Sequence, residues 1–110
     1  MKDYSKEVIE LIKRYRKENI IFGKAWDFLY RRVKISEEEV KKEILNCKNL
    51  AFAEEQIKNG EKRYALFFIY GGKRGRKYVI NFRCFQIRII TIIPLGRTTI
   101  KRYRKKGLNI

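Results

Sequence analysis

Residues 97–106 hold six cations and no acid: Arg97, Lys101, Arg102, Arg104, Lys105 and Lys106. A guanidinium fork matches phosphate oxygens and can carry the charge that develops on a phosphorane. Arg97 and Arg102, together with Arg88 on the preceding apolar run, are therefore candidate catalytic residues for cutting RNA through its own 2′-hydroxyl. Tyr103, flanked by Arg102 and Arg104, is the candidate for proton transfer, because neighbouring cations favour a phenolate. A lysine crowded by other cations is the other choice of base. The chain has no histidine, the side chain that ordinarily titrates nearest neutrality, and arginine does not serve as a base. Each residue also has a plainer reading. Arg88 is a strand residue on an open sheet face, Tyr103 packs a tail helix onto the sheet, and Lys105 and Lys106 form a solvated charge run.

Charge placement separates two halves. Residues 1–61 hold 14 Lys/Arg and 12 Asp/Glu, whereas residues 62–110 hold 14 Lys/Arg and no acid, for a net charge of +16. Heavy Lys, Glu and Ile usage suggests heat adaptation, but that adds both signs together and does not account for an acid-free half. A polyanion is the natural partner of such a half, nucleic acid above all. The expected contacts are Arg63, Lys73, Arg74, Arg76, Lys77, Arg83, Lys101, Arg104, Lys105 and Lys106. The turn Lys73-Arg74-Gly75-Arg76-Lys77 is the best pure binding element, since backbone N–H groups near its glycines can approach a phosphate. Tyr64, Phe68 and Tyr70 share one strand face and offer a second mode, stacking of single-stranded bases. The bland alternative makes the rings core, which suits Phe67 and Phe68 best. Cys47 and Cys84 are too few for a structural zinc site and read as buried free thiols. No metal or cofactor is expected.

A chain of 110 residues reads as one domain. Ser5 is a plausible N-cap for a first helix with Val8, Ile9, Leu11, Ile12 and Tyr15 at helical spacing. A second helix is expected over 23–34, with Trp26, Leu29, Tyr30 and Val33 on one face. Ser36 with Glu39 forms a capping box ahead of a third helix, and Ile35 with Val40 a hydrophobic staple. After Leu50 the period changes to that of strands. "NLAFAEEQ" reads as an edge strand, Asn59-Gly60 as a hairpin turn, 62–70 as a strand and 71–75 as a glycine turn. Tyr78, Ile80 and Phe82 then face away from Lys77, Asn81 and Arg83. Residues 87–94 read as a central strand that Pro94 ends. A basic helix from Thr98 or Thr99 to Lys106 closes at Gly107. The expected class is α+β: N-terminal helices on a four-stranded antiparallel meander, with a short basic C-terminal helix.

Three stretches in this order carry a family resemblance: Ile35-Ser36-Glu37-Glu38-Glu39-Val40, Lys77-Tyr78-Val79-Ile80-Asn81-Phe82 and Arg88-Ile89-Ile90-Thr91, followed by the basic tail Arg97 to Lys106. Over residues 35–106 the chain resembles the BrnT-like branch of the RelE/ParE toxin superfamily. That resemblance implies a compact antiparallel sheet with helices on one side. It also implies a metal-independent endoribonuclease that cuts mRNA, on or off the ribosome, and is neutralised by an acidic antitoxin. The chain departs from the pattern twice. It lacks the histidine that relatives often carry near the first helix, and it has Ile92-Ile93-Pro94 where they often carry an arginine.

Three functions follow as expectations. One is a toxin-type ribonuclease. Another is a nucleic-acid binder with the same patch and no turnover. The third is an interaction module in which an apolar sheet face forms a homodimer. No apolar run approaches the roughly 18 residues of a membrane span, and the mixed charges of the N-terminus lack a signal-peptide block. The expected location is therefore the cytoplasm, with no membrane partner.

Overall fold

The computed structural model describes residues 2–23 and 34–107. Among them, α1 spans Ser5–Ile12, β1 Ile20–Phe22, α2 Glu37–Asn46, β2 Leu50–Lys58, β3 Glu61–Ile69, β4 Arg74–Arg83, β5 Gln86–Gly96 and α3 Arg97–Lys105. The class is α+β, as expected. The helix expected over 23–34 falls almost wholly on 24–33, outside the described residues. No described helix is long and apolar enough to cross a membrane.

The sheet has five strands rather than four, in the order β1-β5-β4-β3-β2. The hairpin-linked strands β2 to β5 pair antiparallel as the sequence suggests. The addition is β1, which pairs in parallel with β5 through Ile20, Ile21 and Phe22. A three-residue strand has too little pattern to be read from sequence, and a distant partner stabilises it. The same pairing explains a second correction. Pro94 does not end β5, which runs on to Gly96 with Pro94 opposite Arg76. Among the described residues β1 pairs only with Ile87 to Ile89, so beyond that point no described strand pairs with the outer edge of β5, where a missing N–H is tolerated.

Helices cover both faces, not one. On the first face, Val8 and Ile12 of α1 and Val40 and Ile44 of α2 bury against Tyr64, Leu66, Phe68, Tyr78, Ile80, Ile87, Ile89 and Ile92. On the opposite face, Ile100 and Tyr103 of α3 pack over Phe52, Ala65, Phe67, Val79 and Leu95. Alternation along the strands sends one apolar set each way, and two cores result. Among the described residues, α1 and α2 therefore lie on one face of the sheet and α3 on the other.

Local chemistry sets the element ends. Ser36 Oγ accepts from the Glu39 amide at 3.2 Å as the α2 N-cap. Ser5 is not a cap: it is the first residue of α1, and Asp3 accepts from its amide and hydroxyl at 2.9 and 3.0 Å. Asp3 also accepts from the Ala53 amide at 3.1 Å, which ties α1 to β2. Asn59 and Gly60 both adopt positive φ (53° and 76°), as a tight hairpin turn with matched twist requires. Gly107, at φ 88°, closes α3.

Candidate functional site at the glycine-hairpin end of the sheet

β3, β4 and β5 are neighbours, and α3 packs on them. The acid-free segment of the sequence is therefore contiguous in space, and its cations gather at the two ends of the sheet and along α3.

At one end, the β3–β4 connection closes with the Tyr70 amide donating to the Arg74 carbonyl at 3.0 Å. Arg74 pairs with Gly96, so Arg97 begins α3 at this same end. Gly75 is required here by close approach: a Cβ on it would lie 2.7 Å from the Phe68 carbonyl oxygen. Into this end α2 projects Glu43. Val40, Glu43, Ile44 and Cys47 share a stripe at helical spacing, so an acid rides at the border of the buried face. Tyr78, fully buried by ring, donates its hydroxyl to Glu43 Oε1 at 2.5 Å. Tyr70 donates to Oε2 of the same carboxylate. Arg76 brings Nη1 to 3.6 Å from Glu43 Oε1 and 3.5 Å from the Tyr70 oxygen, with its guanidinium 5.4 Å from the Tyr70 ring centroid.

Two cavities meet at this group. One of about 270 Å³ is bordered by Glu39, Lys42, Glu43, Lys48 and Arg76, with Asn46 and Asn49. Another of about 180 Å³ is bordered by Tyr70, Arg74, Gly75, Arg76, Pro94 and Leu95. Burial, reinforced by the hydrogen bond to Glu43, pushes both tyrosine hydroxyls well above their ordinary pKa. They remain proton donors at neutral pH. Burial works against the charge of Arg76, but the two phenol oxygens and Glu43 more than offset it and hold the guanidinium protonated. The geometry is that of a held carboxylate, a fixed cation and a hydroxyl at the mouth of a cleft.

The opposite end carries a different group on the α3 face of the sheet. Asn81 pairs with Arg88, and Arg63 is level with them, one position before the Tyr64–Ile80 pair. Asn81 donates to the Lys62 carbonyl at 3.0 Å and accepts from Arg83 Nε at 3.1 Å. Arg63 Nε donates to Glu61 at 2.8 Å. That bond first, and the charges of Arg63, Arg88 and Arg83 beyond it, hold the Glu61 carboxyl below its usual range despite a small opposing effect of burial.

The expected catalytic set is not brought together. Arg88 lies near the start of β5 and Arg97 just past its end, roughly 30 Å apart along the chain at about 3.3 Å per residue. Tyr103 takes its plainer role: its ring meets Phe67 edge-on at 4.9 Å. Lys101, Arg102 and Lys105 point outward with Thr98 on the exposed side of α3, and Arg104 and Lys106 are also exposed. Of the expected binding residues, Lys73, Arg74 and Arg76 share the glycine-hairpin end with Arg97. Lys77 lies over the Phe67 ring at 5.5 Å, and Arg63 and Arg83 belong to the Arg88 end. The stacking platform does not form, because Tyr64 and Phe68 are buried under the helices and only Tyr70 of the three is exposed. Cys84 is exposed and Cys47 half-buried, and neither forms a disulfide.

Glu43 was not singled out by its sequence. An acid in a helix rich in Glu and Lys reads as solvated, and its partners lie 27 and 35 residues away. The usable signal was its place on the Val40–Ile44 stripe.

No protein-family model, curated protein or solved structure matches the chain.

Proposed function

We propose that this protein binds single-stranded RNA through the continuous cationic surface of β3, β4, β5 and α3, and acts as a toxin of the RelE/BrnT kind. One observation carries the binding reading: the acid-free segment forms adjacent strands plus the helix packed on them, so its charge stays concentrated rather than dispersed. A polyanion laid along that surface releases counterions at each phosphate. Arg63, Arg83 and Arg88 at one end and Lys73, Arg74, Arg76 and Arg97 at the other supply arginine forks for phosphate, and exposed cations of α3 line the space between. RNA rather than DNA, mRNA as the target and an acidic antitoxin as the neutralising partner come from the resemblance to the toxin family. The mixed sheet and the helix on its second face depart from the family's simple antiparallel plan.

Retardation of a mixed-sequence single-stranded RNA tests the binding, measured against salt. Contacts to about five phosphates give a log–log slope near −3.5, at about −0.7 per phosphate. An affinity that does not change with salt, or no retardation at low salt, removes the reading. Induced expression separates toxin from plain binder. Growth arrest with loss of mRNA supports the toxin, and unaltered growth with intact mRNA leaves the non-catalytic binder.

A further inference from the structure

Phe85 is the most exposed large apolar side chain among the described residues, with 82% of its surface accessible. A single exposed ring needs no explanation by itself. The setting of this one does. Arg83 pairs with Gln86, so Cys84 and Phe85 alone make the β4–β5 turn. Two-residue hairpin turns favour Gly, Asn or Asp at positive φ, and these two residues are neither of those types nor at positive φ. Departures of this kind concentrate at functional sites.

The tip is also held in place. Tyr15, just past α1, donates its hydroxyl to the Arg83 carbonyl at 2.6 Å, and its ring centroid lies 5.7 Å from that of Phe82. Beside this anchor lies a cleft of about 290 Å³, bordered by Arg14, Tyr15, Asn19, Cys84 and Phe85, with no carboxylate on its border. Asn19 Oδ1 accepts from the Arg16 amide at 2.8 Å, which fixes the side chain and leaves its NH2 to donate. Around the corner of the tip, on the α3 face, stand the level residues Arg63 and Arg88. A flat apolar ring, a guanidinium and an amide donor thus surround one slot at the end of a row of arginines.

Resting on the RNA-binding reading, we infer that this cleft takes one unpaired nucleobase of the bound strand, stacked on the Phe85 ring. The Arg14 guanidinium covers the other face of the base, and the Asn19 NH2 donates to an acceptor on its edge. The adjoining phosphates run on to Arg83 and Arg88. Every base has a π-face, so the contact tolerates any sequence. A base inside a duplex is already stacked and paired, so the site selects single strands.

The test uses the full chain and a short single-stranded RNA in which 2-aminopurine replaces every adenine. Retardation and 2-aminopurine fluorescence are read on the same preparations at several salt concentrations. The wild type is expected to quench the fluorescence. Phe85→Ala should weaken binding at least about fivefold, the low end for loss of one stacked base, and remove most of the quenching. Its slope of log affinity against log salt should match the wild type, because no phosphate contact is lost. Phe85→Trp should restore affinity and quenching together. A blunt duplex of the same sequence should be held equally by wild type and Phe85→Ala. Salt-dependent retardation that Phe85→Ala retains in full overturns the base site and leaves the binding reading standing. So does an equal loss on duplex and single strand. Adenosine 5′-monophosphate in large excess that restores the fluorescence while the strand stays retarded would assign the cleft to a free nucleotide and overturn its assignment to the strand. An absence of retardation brings down the binding reading and this inference with it.

Discussion

Each end of the sheet sets a glutamate beside arginine, and the two glutamates do different things. Glu61 has three arginines near it, hydrogen-bonds Arg63, and keeps 30% of its side chain accessible. Glu43 meets one arginine, but two tyrosine hydroxyls fix both of its oxygens at the edge of a cleft. Cation count is therefore a poor guide to chemistry. What distinguishes the Glu43 end is the buried Tyr78 hydroxyl and the lower exposure of the carboxylate, 14% against 30% for Glu61, because a hydrogen bond held away from water fixes geometry that an exposed pair does not. The Glu61 end is an arginine-rich surface pair; the Glu43 end is a carboxylate held between helix and sheet.

The sharpest way to break this contrast is to truncate each glutamate. Glu43→Ala strands the Tyr78 hydroxyl and leaves Arg76 half-buried without its counter-ion, so a loss of about 2–4 kcal/mol is expected in urea unfolding. Glu61→Ala is expected to cost clearly less, since the Glu61 side chain keeps 30% of its surface in water and no buried hydroxyl depends on it. Equal losses at the two ends would mean that the difference in burial has no energetic meaning.

A second prediction uses alkaline pH. The Tyr78 hydroxyl has a folded pKa raised by burial and by Glu43, so the unfolded chain gives up this proton first. The stability tied to it is complete below about pH 10, the ordinary tyrosine value, and is lost as pH rises beyond it, by up to about 1.4 kcal/mol per pH unit. Lysines titrate in the same range, so the informative quantity is the difference between wild type and Tyr78→Phe. The wild type should lose stability faster from pH 10 to 11.5. Parallel curves would show that the hydroxyl is as solvated in the fold as in the unfolded chain.

How far the sequence foretold these ends follows from the range of the forces involved. The Ser36 cap, the Asn59-Gly60 turn and the alternation of Tyr78, Ile80 and Phe82 against Lys77, Asn81 and Arg83 are local, and each is where its sequence puts it. The cationic half was legible because it is a run in the chain. What was not legible depends on distant pairing. β1 exists through its partner β5, Pro94 is tolerated where no described strand pairs with the outer edge of β5, and α3 chooses its face by where Ile100 finds apolar cover. The Glu43 centre is of this second kind. Arg76 was visible as a cation, but its role comes from a helix more than 30 residues earlier in the chain. Spacing could not join Arg88 to Arg97 either, since a continuous strand holds them apart.

Each end also carries a cysteine, and these give the smallest and most direct comparison. Cys47 follows α2 beside the Glu43 cleft, half-buried, with its Sγ 3.0 Å from the Ile44 carbonyl. Burial pushes its thiol up to about 11. Cys84 lies exposed in the β4–β5 turn, at the Arg63 end. Alkylation requires both the thiolate and access to sulfur. At pH 8, Cys84 should therefore react with iodoacetamide at least about tenfold faster than Cys47, as peptide mass mapping over time would read. Similar rates would mean that α2 lifts from the sheet readily and that the carboxylate beside Cys47 is not held rigidly. A wide gap that closes in Glu43→Ala would tie the order of this end to the carboxylate itself, because that side chain joins α2 to β3 and β4.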